Sequence, residues 1–344
     1  MHASAVRRAA AAASKALKQP LPPAFLGSPT LPDLAAILPP KPVFSSAQST
    51  GYLKCNRAEA TAVLTEIWRA TRGVQLDSDA IMTAAVSRVC KAQNFDPANF
   101  APLASLHKST HPSSQTTTTI SRNLLHLGVL LDDPAAIIAD ATRSLAAARS
   151  LPQLASLPAW RKLTALASAS NAAEAHELLA KAYTQFKDPA RAAVAWRKAA
   201  DAGSGLACSV LGAEAFMTND TNTANSKDRE DKSALAISWY GKAAERGEVD
   251  AYLRLGELLM ATDPAEAEHN LLVAAASGSF LAVGKLEELY RSRGDSYSLM
   301  ADSWKELAEA IEAEDRAAGA EVPTVTEHRN NYKPYRPIRS HKRR

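Results

Sequence analysis

Residues 207–215 read Ala207-Cys-Ser-Val-Leu211-Gly212-Ala-Glu-Ala215, and after a polar insert residues 239–247 read Trp239-Tyr240-Gly241-Lys242-Ala243-Ala244-Glu-Arg-Gly247. How these two lines are read decides the fold. A spacing of four puts Ala207 and Leu211 on one helical face. Gly212 beside that leucine leaves room for a second helix to come close. The second line is a large side chain followed by small ones. Its Gly247 stands seven residues after Tyr240, where a glycine accepts the left-handed conformation that closes a helix. Together they describe two short helices that pack closely on each other.

The same unit recurs on both sides. Ala175, Leu179, Ala180 and Tyr183 repeat the first line, as do Ala251, Leu255, Gly256 and Leu259, and then Ala282, Leu286, Glu287 and Tyr290. Trp196 to Gly203 and Leu271 to Gly278 repeat the second, and the stretch around Trp304 to Ala308 repeats it without a closing glycine. The first-helix alanine steps by 32, 44 and 31 residues, and the second-helix anchor by 44, 31 and 33. The long step comes from the insert Met217 to Lys232, whose Thr-Asn-Asp-Thr-Asn-Thr and charged run predict a loop. Without about a dozen of those residues the period is near 32, the mark of a solenoid whose units cannot bury their apolar faces alone. The predicted fold is all-α: an α-solenoid of antiparallel helix pairs between two irregular tails.

These lines resemble the Sel1-like repeat, a relative of the tetratricopeptide repeat. Its unit runs A-x-x-x-L-G-x-x-Y and then W-Y-x-K-A-A-x-x-G. Ala207 to Gly247 is the fullest copy, the lines at Ala175 and Ala251 follow it, and the line at Ala282 is worn. About 130 residues are covered. The chain departs from that pattern in lacking a glycine-rich loop between paired helices. The resemblance implies a protein–protein adaptor that holds its partners on a concave surface. It implies no chemistry, since the matched residues are packing positions.

A chain of 344 residues can bury a sizeable core and hold two domains. Its net charge of +4 conceals an asymmetry. Residues 1–57 carry seven Lys or Arg and one acid, and residues 328–344 carry seven basic residues and no acid. The body between them is therefore 4 − 6 − 7 = −9. An acidic helical body excludes a nucleic-acid-binding domain in the middle of the chain. Cys55, Cys90 and Cys208 are scattered and odd in number, which fits neither a disulfide framework nor zinc-ligand spacing. No apolar run approaches the length of a transmembrane helix.

Residues 1–32 contain Arg7, Arg8, Lys15 and Lys18 and no acid, the composition of a mitochondrial presequence. The alternative is an Ala-rich tail with no address, in a cytoplasmic or nuclear protein. Eight prolines between Pro20 and Pro42 then predict an extended linker, taken over 33–56, with one short turn at Leu34 to Leu38. Residues 57–120 read as an N-terminal helical region. One helix runs from Arg57 to Thr71 through Val63, Leu64, Ile67 and Trp68. A second is capped by Ser78 or Asp79 and runs through Ile81, Ala85, Val89 and Cys90. A low-complexity loop covers 109–119. Residues 121–170 read as a degenerate repeat, with Leu124, Leu127-Gly128 and Leu131 on its first helix and Trp160-Arg161-Lys162-Leu163 resembling the second-helix line. Asp133-Pro134, Asp188-Pro189 and Asp263-Pro264 recur as helix starts, with Asp as the cap and Pro where no N–H is needed. The array itself is taken over 171–318, with a helix through Glu309, Ile311, Glu312 and Glu314 as its charged cap. A basic tail fills 319–344.

No phosphate loop, nucleophile elbow or metalloprotease helix occurs. His107 and His111 have helical ligand spacing, but Pro112 and the threonines place them in a loop with no completing ligand. The expectation is therefore no catalytic site, no metal and no cofactor. The repeat positions of Trp196, Trp239, Tyr240 and Trp304 favour interior packing over a ligand box. The tail is the one segment with a binding pattern. Arg329, Tyr332, Lys333, Tyr335, Arg336, Arg339, Lys342, Arg343 and Arg344 combine cations that can pair with phosphates and rings that can stack on bases. With Pro334 and Pro337, it should be extended when free. Two function classes follow: a mitochondrial adaptor or assembly factor with a protein partner, or an RNA- or ribosome-associated protein anchored by the tail.

Overall fold

A computed structural model of the chain describes residue 34 and residues 38–72, 79–110, 115–217 and 226–317. Everything described is helix, turn or connection, in sixteen α-helices and two 3-10 turns. The chain divides into two compact units, residues 1–166 and 167–344.

In the first unit the Leu38 N–H donates to the Leu34 carbonyl at 2.9 Å, while residues 35–37 of the short turn expected at Leu34 to Leu38 lie outside the described residues. Helix α1 follows at Lys41–Ser49, and α2 spans Arg57–Thr71. Asn56 starts α2 with a capping box: its side chain accepts from the Glu59 N–H and the Glu59 carboxylate accepts from the Asn56 N–H, both at 2.9 Å. Val63, Leu64, Ile67 and Trp68 are its buried face. Helix α3 is Asp79–Ala92, and Ser78 lies outside the described residues. Its buried residues are Met82, Val86 and Cys90, while Ile81 is 57% exposed. The core face is thus turned one position from the one read from sequence, because Met82 fills the centre as well as Ile81 could.

After a 3-10 turn at Pro97–Asn99 come α4 (Phe100–Thr110) and α5 (Gln115–Leu130). These two correct the expected loop over 109–119. Thr116 to Thr119 form the opening of α5, and of that stretch only 111–114 fall outside the described residues. Threonine's weak helix propensity is overridden by tertiary contact, since α5 packs on α4 and Ser121 Oγ donates to the Ala104 carbonyl at 3.0 Å. His107 accordingly sits in α4, at 3% exposure, and not in a loop. Phe44, Leu53, Ile67, Phe100, Leu103 and Leu127 meet in the core of this unit. Each such side chain contributes about 1.5–3 kcal/mol by leaving water.

Asp133 caps α6 (Pro134–Ala147), accepting from the Ala136 N–H at 2.9 Å. Helix α6 packs on α5 and is the second helix of the upstream pair. The Trp160 line has a different place. It belongs to α8 (Pro158–Ala169), which follows a single turn of helix, α7 (Leu151–Ala155). From α8, Lys162 Nζ donates to the Val129 carbonyl at 2.6 Å and pairs with Asp132 at 2.7 Å. That puts a cation on the carboxyl end of α5, where the helix dipole favours it.

The second unit is the array. Its helices are α9 (Ala173–Gln185), α10 (Pro189–Asp201), α11 (Gly205–Met217), α12 (Ser226–Glu245), α13 (Val249–Leu259), α14 (Pro264–Ala276), α15 (Phe280–Ser292) and α16 (Ser298–Ala317). They pack as α9 with α10, α11 with α12, α13 with α14 and α15 with α16. Each second helix also packs on the first helix of the next pair. This is the nearest-neighbour connectivity of a helical solenoid. The expected loop from Met217 to Lys232 is shorter than read. Residues 218–225 lie outside the described residues, and helix α12 already runs from Ser226. Charged residues with good helix propensity extend it by nearly two turns before its apolar part begins.

Candidate functional site

The array is built from one packing unit, and its atoms show why the repeated residues are of those types. The alanine that opens each first-helix line, Ala175, Ala207, Ala251 or Ala282, has no exposed surface. Leu179, Leu211, Leu255 and Leu286, four residues on, are 8% exposed or less. The small residue after the leucine is where two helices touch. A Cβ built on Gly212 would lie 3.1 Å from the Tyr240 ring, and one on Gly256 would lie 2.5 Å from Leu271 Cγ. In the first unit Gly128 stands equally close to Ala136, so the α5–α6 pair uses the same device.

The second helices end alike. Gly203, Gly247 and Gly278 have φ of +102°, +86° and +90°. In each, the residue after the glycine sends its N–H back to an alanine carbonyl: Ser204 to Ala199 at 2.9 Å, Glu248 to Ala243 at 3.1 Å, Ser279 to Ala274 at 3.0 Å. These are the paired bonds that satisfy the last carbonyls of a helix. Asp188 and Asp263 accept from the N–H groups of Arg191 and Glu266, both at 3.1 Å, and so cap α10 and α14.

Trp196, Tyr240 and Leu271 are interior residues, 5% exposed or less. Trp239 is half-buried, with Lys242 Nζ 4.5 Å from its ring centroid. Each second helix carries two buried alanines seven apart: Ala192 and Ala199, Ala236 and Ala243, Ala267 and Ala274, and in α16 Ala301 and Ala308. On that register the anchor slot of α16 falls on Lys305, and Trp304 stands half-buried one place earlier. The facing small-residue slot of α15 is Glu287. Glu309, at the place of the buried Ala200 and Ala244, is exposed and lies 3.7 Å from Lys305. No further helix pair follows among the described residues, so polar groups stand where inner units bury apolar ones.

Polar clasps join neighbouring pairs. Arg246 Nη1 donates to the carbonyls of Ala200 at 3.0 Å and Ser204 at 3.1 Å, and lies 2.8 Å from Cys208 Sγ. Ser204 Oγ accepts from the Ala207 N–H at 2.8 Å and donates to Glu177. In the last pairs Glu268 accepts from the Tyr290 hydroxyl, and Arg293 Nη1 reaches it at 2.6 Å. The Tyr290 hydrogen bond, with Arg293 beside it, holds the Glu268 carboxyl below its ordinary range. Burial and the same carboxylate push the Tyr290 phenol up to about 12. None of these clasps has a sequence signal: Arg246, Glu268 and Arg293 fall at no repeated position.

Chemistry is sparse. Among the described residues, no group of three or more His, Cys, Asp or Glu could hold a metal ion. Cys55, Cys90 and Cys208 are buried and form no disulfide, and burial pushes Cys55 up to about 12 and Cys90 to about 11. A hollow of about 550 Å³ lies between α1 and α4, lined by Val43, Ser46, Tyr52, Leu106 and other apolar or hydroxyl side chains. No carboxylate, imidazole, thiol or amine lines it. Among the described residues no helix is long and apolar enough to cross a membrane. Exposed large apolar residues are scattered over the array as Val194, Phe216, Leu235 and Leu272, and gather on α16 as Leu299, Met300 and Leu307. The presequence-like residues 1–32, His111 and the tail residues Arg329, Tyr332, Lys333, Tyr335, Arg336, Arg339, Lys342, Arg343 and Arg344 lie outside the described residues.

Compared with known proteins, the chain matches no family model, and no curated protein is significantly similar to it. What the geometry supports is coarser: a helical-repeat protein whose fold is compatible with a protein-interaction scaffold.

Proposed function

We propose that this protein is a non-catalytic adaptor whose stacked helix pairs hold a protein partner, and that it works as an assembly or organising factor in mitochondria. One observation carries the reading. The residues repeated in sequence are consumed by packing, as Gly212 on Tyr240 and Gly256 on Leu271, which leaves the outward faces free to vary. Repeat arrays of this connectivity offer long surfaces for binding. The Sel1-like character rests on the alanine, leucine–glycine and cap-glycine positions of Ala207 to Gly247. The mitochondrial address rests on the acid-free, basic composition of residues 1–32.

The test is affinity purification of the tagged full chain from isolated mitochondria, with mass spectrometry of what remains after washing. A stoichiometric protein partner is the expected result. A chain that stays cytosolic in an import assay removes the address, and a chain recovered alone removes the adaptor role.

A second reading has its own observation, the seven basic residues and two tyrosines within 328–344. As an RNA or ribosome contact, the tail would bind with strong salt dependence. Removal of 328–344 would then abolish co-sedimentation with ribosomes, and unchanged co-sedimentation would eliminate this reading.

A further inference from the structure

Helix α16 packs on α15 through one side, burying Ala301 and Ala308. Its outer side carries exposed apolar residues among its charged ones. Leu299 is 82% exposed, Met300 52% and Leu307 43%, and the adjacent Tyr297 is 37% exposed. Met300, Ser303, Leu307 and Ala310 recur at spacings of three and four, so they form one stripe, bordered by half-buried Trp304. Along the other border stand the exposed acids Asp302, Glu306 and Glu309. Asp302 lies 3.6 Å from Arg291, and Glu309 3.7 Å from Lys305. A second copy of this face would bring acid against acid. Its complement is a ligand with apolar groups on one side and cations beside them.

The chain supplies such a ligand shortly after α16 ends at Ala317. Residues 332–340 are three tandem triplets: Tyr332-Lys333-Pro334, Tyr335-Arg336-Pro337 and Ile338-Arg339-Ser340. Each begins with an aromatic or aliphatic residue and continues with a cation. A polyproline II strand has three residues per turn and a rise of about 3.1 Å, so it places Tyr332, Tyr335 and Ile338 on one edge, about 9 Å apart. The cations Lys333, Arg336 and Arg339 then form the next edge. On α16, Met300 and Leu307 are about 10 Å apart along the axis. The segment 318–331 can span about 46 Å when extended, against about 26 Å from Ala317 back to Met300. Tethering raises the tail's local concentration to the order of millimolar, ahead of any free competitor.

We propose that residues 332–340 dock as an extended strand along the outer face of α16, with Tyr332 and Tyr335, about 9 Å apart, on Met300 and Leu307, and the neighbouring cations Lys333 and Arg336 beside the acids Asp302, Glu306 and Glu309. The chain's own tail thereby covers the open end of the array. The idea goes beyond the adaptor reading, which stands or falls on capture of a partner and not on this contact.

Photo-crosslinking of the full chain tests it. Tyr335 is replaced by p-benzoylphenylalanine, monomer is confirmed by light scattering, and products are mapped by mass spectrometry. The expected product is a crosslink within one chain to residues 297–311. Met300→Ser with Leu307→Ser should cut its yield at least fivefold, as should Glu306→Lys in a separate variant. These positions are exposed, and circular dichroism should show folded chains. Crosslinks elsewhere in the chain, crosslinks between chains only, or none would overturn the proposal. A mixed-sequence single-stranded RNA is titrated in parallel. If the tail is held on α16, the double substitution frees it and RNA binds the variant several-fold more tightly than the parent. RNA affinity that the substitutions leave unchanged, with no crosslink to α16, would also overturn it and give the tail to nucleic acid.

Discussion

Gly256 and Gly241 show how one residue type does two different things in this array. A Cβ on Gly256 meets Leu271 at 2.5 Å, whereas one on Gly241, in mid-helix, meets nothing within 4 Å. Gly256→Ala should destabilise by about 1–2 kcal/mol, because overpacking outweighs the gain in helix propensity. Gly241→Ala should stabilise by roughly 0.5–1 kcal/mol. Urea denaturation of both variants checks the pair, and equal signs would be incompatible with these contacts. The sequence marks both glycines as repeat-line residues, but only Gly256 follows a leucine on the face that meets the next helix. The buried thiols give another outcome. Because burial raises Cys55 to about 12 and Cys90 to about 11, neither should react with a disulfide reagent at pH 7 until urea unfolds the chain. Rapid labelling of the native chain would contradict their placement.

Helices begin and end here for reasons written in short motifs. Asp133, Asp188 and Asp263 cap the helices that Pro134, Pro189 and Pro264 open, and Asp263→Ala should cost about 1 kcal/mol in the same denaturation assay. What sequence could not give was the joining of elements. Glu268 on α14 takes hydrogen bonds from Tyr290 and Arg293, which lie 22 and 25 residues away. With its carboxyl held below the ordinary range, this group adds stability above its unfolded pKa and loses it as pH falls through the folded value. The wild-type urea midpoint should therefore drop more between pH 6 and pH 3 than that of Glu268→Gln. Equal drops would mean that the clasp does not persist in solution. The reading of 109–119 as a loop failed for a related reason: composition is local, and the contact of α5 with α4 that makes Thr116 to Thr119 helical is not.

Between the two compact units the kind of order differs. Among the described residues from Leu34 to Leu131 the first unit has one core, with Phe44, Ile67, Phe100 and Leu127 drawn from four helices. The array buries its apolar surface pair by pair, so a loss in one pair is felt first by its neighbours. Hydrogen exchange should show this. Gly256→Ala should raise exchange in α12 to α15 more than in α2 to α5, and a uniform rise across the chain would argue against nearest-neighbour stacking. Many of the ion pairs on the helices are exposed and only three or four residues apart, as at Arg69–Glu66 and Lys285–Glu288. Such pairs contribute little to stability.

The helical class, the solenoid period and the cap positions were legible from residue order alone, because each depends on spacings of three, four or seven along one chain. Register was not. Whether Ile81 or Met82 faces inward, whether Trp304 or Lys305 occupies the anchor slot, and whether α6 or the Trp160 helix completes the upstream pair depend on which surfaces meet across space. A helix with several apolar residues can present more than one face, and only its neighbours choose among them.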